Sequence, residues 1–163
     1  MKFKYLLPLT MTTVFLSGCA NATNTQASIN EADLYGNWNC KISSEENSVK
    51  ISMDYDVSYI RNGKSNGIGI LKFKVPDLPE MEYSFAGSSD WELKGGYLIE
   101  TSTEIKLVNI SHPEFDKEFN LESLFPQNIS ESSKILVLNR KLLKLKSETD
   151  GTEYSCTRNP IKN

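Results

Sequence analysis

The sequence predicts a mainly β fold, a single antiparallel up-and-down β-barrel of about eight strands with one short helix, over residues 31–163. Three observations predict it. From Val49 to Tyr59 every odd position is apolar or aromatic and every even position is polar, the period of a strand with one buried and one wet face. Turn signals recur at short spacing, at Asn62-Gly63, Gly95-Gly96 and Asp150-Gly151, so strand follows strand through hairpins. Finally, Trp38, Cys40 and Ile42 stand two apart near one end of the chain, and Tyr154, Cys156 and Arg158 do so near the other. If those two segments are neighbours, the first strand meets the last and the ring closes, leaving no exposed edge.

Taken in order, the first strand lies in Tyr35–Ile42 and the second in Val49–Tyr59, with a tight turn at Arg61–Lys64. The third runs from about Gly67 to Val75, where Gly67 and Gly69 predict a bulge or sharp bend and Pro76 and Pro79 end it. Met81, Tyr83 and Phe85 alternate into a fourth that stops at Gly87-Ser88-Ser89-Asp90. Trp91–Lys94 and Tyr97–Glu100 form a hairpin around Gly95-Gly96, and its second arm continues through Ile105 and Leu107 to Ile110 with a break near Ser102. Ser111–Asn128 interrupts the pattern. Ser111 can cap a first turn containing Pro113, Glu114 and Asp116, and Phe115, Phe119 and Leu124 have loosely helical spacing, so a short helix across the barrel is expected, ended by Pro126. It reads equally as a lid over the barrel mouth or as an insertion packed outside. Ile135–Leu138 is continuously apolar, as expected for a strand covered on both faces. Leu142–Lys146 and Thr152–Arg158 complete the set.

The amino terminus has a basic start, Lys2 and Lys4, and an apolar run to Leu16 that is too short to span a bilayer. Its end, Leu16-Ser17-Gly18-Cys19, resembles the lipobox of bacterial lipoproteins. That resemblance implies removal of residues 1–18 as a signal peptide and acylation of Cys19 with palmitate-type chains, which hold a protein on a membrane when several are present. Ala20 stands where an Asp commonly signals inner-membrane retention in such lipoproteins, so the resemblance implies the outer membrane, facing the periplasm. Residues 19–30 then form the lipidated Cys and a flexible tether of Asn, Thr, Ala and Ser.

Loss of residues 1–18 removes two of the 18 basic side chains and none of the 21 acidic ones, moving the formal charge from −3 to −5. An acidic body without a basic cluster argues against nucleic acid as a partner. With Cys19 assigned to lipid, Cys40 and Cys156 remain, and an oxidising periplasm permits a disulfide between them that would tie the first strand to the last. Free thiols or a metal site are the alternatives, and neither cysteine has a further cysteine or histidine near it in sequence.

Gly36-Asn37-Trp38 on the first strand, with Arg158 ending the last, resembles the lipocalin and wider calycin pattern. There a Gly-x-Trp tryptophan closes one end of an eight-stranded barrel and a late Arg packs across its ring, a cation–π contact with its own physical reason to recur. The chain is short for that family, has no Thr-Asp-Tyr motif, and places its helix before the last strands.

For chemistry, the single histidine, His112, has no partner at metal-ligand or triad spacing and reads as a surface or capping residue. Asp54 and Asp56 share the solvated side of their strand. No nucleophile, phosphate or dinucleotide motif occurs, so the expectation is a non-enzyme without metal or cofactor. Met53, Tyr55 and Tyr59 face inward and are candidate ligand-binding residues, with Trp91 beside the expected Gly87–Asp90 loop as a fourth. Two functions follow: a lipoprotein that engages another envelope protein through barrel surface or loops, or a lipocalin-like carrier of a small hydrophobic or amphipathic molecule. A packed interior favours the first, and a hollow one the second.

Overall fold

The computed structural model describes residues 29–117 and 127–159. Eight antiparallel strands, β1 (Gly36–Glu46), β2 (Val49–Ile60), β3 (Lys64–Lys74), β4 (Met81–Lys94), β5 (Tyr97–Asn109), β6 (Ser130–Leu138), β7 (Leu142–Ser147) and β8 (Glu153–Arg158), close into one barrel in sequential order. The fold is mainly β and lipocalin-like, as the alternation and the hairpin signals require. Two 3-10 turns, Glu31–Asp33 and Pro113–Lys117, are the helical segments among the described residues. The expected helix over Ser111–Asn128 is thus a 3-10 turn where it can be described, and its remaining residues, 118–126, lie outside the described residues.

Closure joins β1 to β8 over a short span, with Trp38 opposite Arg158 and Cys40 opposite Cys156. The long strands β2–β5 run well past that span. Among the described residues, β6 meets β5 only through Tyr97–Thr101, so Thr103–Asn109 is paired with β4 alone.

Three expectations are corrected. Gly87–Asp90 does not end a strand, because β4 continues unbroken from Met81 to Lys94; small residues there face β3 and β5 at close quarters instead of turning the chain. The bulge expected at Gly67 and Gly69 is absent, since the β2–β3 register runs without a shift. A Cβ at position 69 would collide with the Cβ and backbone of Tyr55, so that glycine admits an aromatic neighbour across the pair. The irregularity sits between β4 and β5, where Ser88 pairs with Glu104 but Ser89 with Ser102, leaving Thr103 as the extra residue; the expected break near Ser102 is this bulge. Finally, β6 is not covered on both faces. Leu136 alternates outward with Lys134 and is 38% exposed, and a register shift between Ile135 and Val137 leaves it the extra residue.

Two apolar clusters lie inside the barrel. The larger, at the closed end, contains Leu34, Trp38, Val57, Tyr59, Trp91, Leu98, Leu143, Leu145 and the disulfide. The smaller holds Leu71, Met81 and Tyr83, with Met53, Phe73, Phe85, Leu107 and Phe115 against it. The rings of Tyr55 and Phe85, 5.8 Å apart, connect the two.

Candidate functional site

At the closed end the barrel-closure residues meet. The Arg158 guanidinium lies 4.3 Å from the Trp38 ring centroid. Its three nitrogens donate to backbone carbonyls: Nε to Arg140 at 2.7 Å, Nη1 to Tyr35 at 2.5 Å, and Nη2 to Asp33. Trp38 Nε1 donates to the Leu34 carbonyl at 2.7 Å, so the buried indole leaves no donor unmet. Gly36 has φ +113°, and a Cβ there would stand 2.7 Å from Arg158 Nη1, which gives this glycine two reasons to be one. Cys40 and Cys156 are disulfide-bonded, with Cα atoms 4.0 Å apart. This end is a plug, and its chemistry is structural.

The four inward candidates are dispersed. Tyr59 and Trp91 are buried in the larger cluster, edge to face with centroids 5.8 Å apart. Trp91 Nε1 donates to the Lys64 carbonyl at 2.9 Å. Trp91 therefore does not flank an outer loop, because the continuous β4 carries it inward. Met53 belongs to the smaller cluster, and Tyr55 lies between the two, half-buried. Asp54 and Asp56 are on the outer face: Lys41 Nζ sits 2.9 Å from Asp54, and this contact, with a hydrogen bond from Asn39, holds that carboxyl below its ordinary range. His112 donates its backbone N–H to Asn109 Oδ1 at 2.9 Å, and its ring stands edge-on to Phe115. Cys19 lies outside the described residues.

Sequence reading missed two polar centres. Asn109, buried at the end of β5, donates to Tyr83, the His112 carbonyl and Asp116, and accepts from the backbone of Ser111 and His112. It fastens the Pro113–Lys117 turn to the barrel. The second centre lies inside the ring, on the inner face of β5. Glu100 shares that face with the buried Leu98 and sits opposite Glu131 of β6. Tyr59 donates to Glu100 Oε2 at 3.2 Å and Ser65 to Oε1 at 3.4 Å. Enclosure outweighs those bonds, and with Glu131 nearby the carboxyl is raised to about 7. The same enclosure, followed by the neighbouring Tyr154, Glu100 and Glu131, pushes Tyr55 well above its ordinary value. The sequence signal was an acid two places from Leu98 on an apolar face. Among the described residues no group of three His, Cys, Asp or Glu side chains is placed to hold a metal ion.

The outer face of β3–β5 carries aliphatic side chains among polar ones. Ile68 pairs with Ala86, which pairs with Lys106; Ile70 pairs with Ser84, and Ser84 with Val108. Ile68, Val108 and Ile110 are 64%, 59% and 51% exposed. Ile68 and Ala86 line a shallow groove of about 230 Å³, with Asn66, Ser88, Glu104 and Lys106 at its sides.

The closed eight-stranded ring defines a lipocalin-like barrel, an architecture that many functions share. No protein-family model matches the chain, and the search of curated proteins finds no match.

Proposed function

We propose that this is a non-catalytic lipoprotein, anchored by acyl chains on Cys19 at the periplasmic side of the outer membrane, that binds another cell-envelope protein through the outer face of β3–β5. The carrying observation is a set of exposed aliphatic side chains on this face: Ile68 on β3 beside the exposed Ala86 of β4, Val108 near the end of β5 and Ile110 just after it. Isolated exposed apolar residues are ordinary, but neighbouring ones mark interaction surfaces. The closed end of the interior is packed with large side chains, which moves recognition outward. The test places a photo-crosslinking amino acid at position 68 and, separately, at position 144 on β7, in the cell. A discrete protein adduct from position 68, absent from 144 and lost on Val108→Lys, supports the reading; no adduct from either, or the same adducts from both, sinks it.

A second reading, a carrier of a small molecule, is favoured by one observation. Midway along the barrel the inward residues Tyr55, Phe85, Ser89, Glu100, Ser102 and Ile105 are all only half-buried.

A further inference from the structure

The ring sorts its charged residues between its two ends. In an up-and-down barrel successive turns alternate between the ends, so the approach to β1 and the β2–β3, β4–β5 and β6–β7 turns share the closed end with Trp38 and Arg158. Arg61, Arg140 and Lys141 lie in those turns, and Lys64 and Lys94 are the strand residues beside them. All five are exposed. Ile60, 42% exposed, adds an apolar side chain next to Arg61. Acids ahead of β1 and near the end of β4, Glu31, Asp33, Asp90 and Glu92, offset part of this charge. Asp33 is met by Arg140 at 3.7 Å, and Asp90 by Lys64. At the other end the described residues between strands include six acids, Asp77, Glu80, Glu114, Asp116, Glu148 and Asp150, and a single base, Lys117.

Distance keeps the two groups of charges separate. β4 has 14 residues, about 45 Å of strand at ~3.3 Å per residue, and with a barrel tilt of about 40° its ends stand roughly 35 Å apart along the axis. Charges are screened over about 8 Å at physiological ionic strength. A charged surface therefore meets one end of this protein at a time, and the net acidity of the whole chain does not decide how it is met. The basic end is also the one that leads back to Cys19. Ile29 packs against the plug cluster and stands ten positions after Cys19, a reach of at most about 35 Å.

We propose that the closed end docks on an anionic phospholipid surface, with Arg61, Lys94 and Lys141 against the head groups and the acidic end directed away from the bilayer. The inference rests on the reading of Cys19 as acylated, which keeps this end within reach of the membrane, and goes beyond it in assigning a second membrane contact and an orientation. Acyl chains hold a protein on a bilayer and leave its orientation free, whereas short-range attraction between basic side chains and anionic lipid sets it. In that orientation the outer face of β3–β5 stands upright from the membrane and open to a partner.

The test takes the ¹⁵N-labelled chain, expressed from its whole sequence and purified from membranes in non-ionic detergent, with its intact mass reporting acyl groups on Cys19. It is placed in nanodiscs of phosphatidylcholine or of a phosphatidylcholine–phosphatidylglycerol mixture, each doped with a lipid carrying a nitroxide on its head group, and paramagnetic broadening of amides is read by NMR. With phosphatidylglycerol, amides of residues 61–63, 95–96 and 139–141 should broaden severalfold more than in phosphatidylcholine, while those of 47–48 and 149–151 do not respond. Salt at about 1 M should remove the difference, because charges are then screened within about 3 Å. Each Lys or Arg near an anionic surface strengthens attachment about fivefold, so Arg61→Gln/Lys94→Gln/Lys141→Gln should lower the ratio of docked to undocked protein on the order of a hundredfold and abolish the increment. Asp77→Asn/Glu148→Gln, at the other end, should leave it unchanged. Equal broadening in both lipids, an increment that survives salt or the triple variant, or broadening at 47–48 and 149–151 instead overturns the proposal. Cys19 without acyl groups overturns the anchoring reading by itself; the basic end is then read from phosphatidylglycerol-dependent broadening of the unanchored chain, whose absence overturns it as well.

Discussion

Arg158, on the last strand, lies across the ring of Trp38, on the first, at 4.3 Å, and donates from three nitrogens to the carbonyls of Asp33, Tyr35 and Arg140. One side chain thereby ties the segment before β1, the β6–β7 turn and the barrel plug together. Arg158→Ala should destabilise the domain by about 2–4 kcal/mol, read from urea unfolding, since three carbonyls lose a charged donor and the indole loses its cover. Arg158→Lys should recover only part of this, because a single ammonium cannot reproduce the fork. Equal stability of the Lys variant and the parent would show that the geometry of the fork contributes nothing.

Gly36 meets the same guanidinium. With φ +113° and 2.7 Å between a built Cβ and Arg158 Nη1, Gly36→Ala should cost about 1–3 kcal/mol from backbone strain alone. In Arg158→Ala the steric part of that penalty should shrink, so a double-mutant cycle should show coupling between the two positions.

The Cys40–Cys156 bond joins residues 116 apart in sequence. For a loop of this size the chain-entropy model gives roughly 4–5 kcal/mol as an upper value. Reduction should lower the urea midpoint markedly, and Cys40→Ala/Cys156→Ala should show the same midpoint with or without reductant. An unchanged midpoint on reduction of the parent would sink the prediction.

Glu100 makes stability depend on pH in an unusual direction for an acid. Its folded-state pKa is about 7 against an ordinary 4.5, so the folded chain holds a proton that the unfolded chain has lost. The contribution is full below about 4.5 and falls away as pH rises through 7. At pH 8 the charged carboxylate costs up to about 3 kcal/mol, less in proportion to the water it still meets. Glu100→Gln should therefore gain stability over the parent at pH 8 and little at pH 4, measured by urea unfolding at both. The opposite ordering would refute the enclosure that raises this group.

Asn109, a buried side chain, holds the backbone of Ser111 and His112 and, through Asp116, the Pro113–Lys117 turn. Asn109→Ala should speed hydrogen exchange at the amides of Ser111 and His112 while leaving those around Trp38 protected, because a local tether can open without the core.

How much of this was legible in the sequence differs by element. Alternation along β2 and the Asn-Gly and Gly-Gly turns announced strands and hairpins because their physical causes are local, a period of two and a tolerance for positive φ. Glu100 carries no local mark beyond standing two places from Leu98, and only pairing with Glu131 and enclosure by the ring set it apart. Gly87 to Asp90, just before Trp91, looked like a loop because they are turn formers; strand partners on both sides overrode that preference. Asn109 is tied into the barrel through Tyr83, 26 residues away.

That Trp38 and Arg158 close one end was legible only through the resemblance to the lipocalin pattern; by itself the chain order of apolar, polar and turn residues determined about eight antiparallel strands joined by hairpins. That information is local and repeats with the strand period. Tertiary structure alone decided register, bulge positions and the interior neighbours of Glu100, because these depend on which distant strands lie side by side and on how much water their contacts exclude.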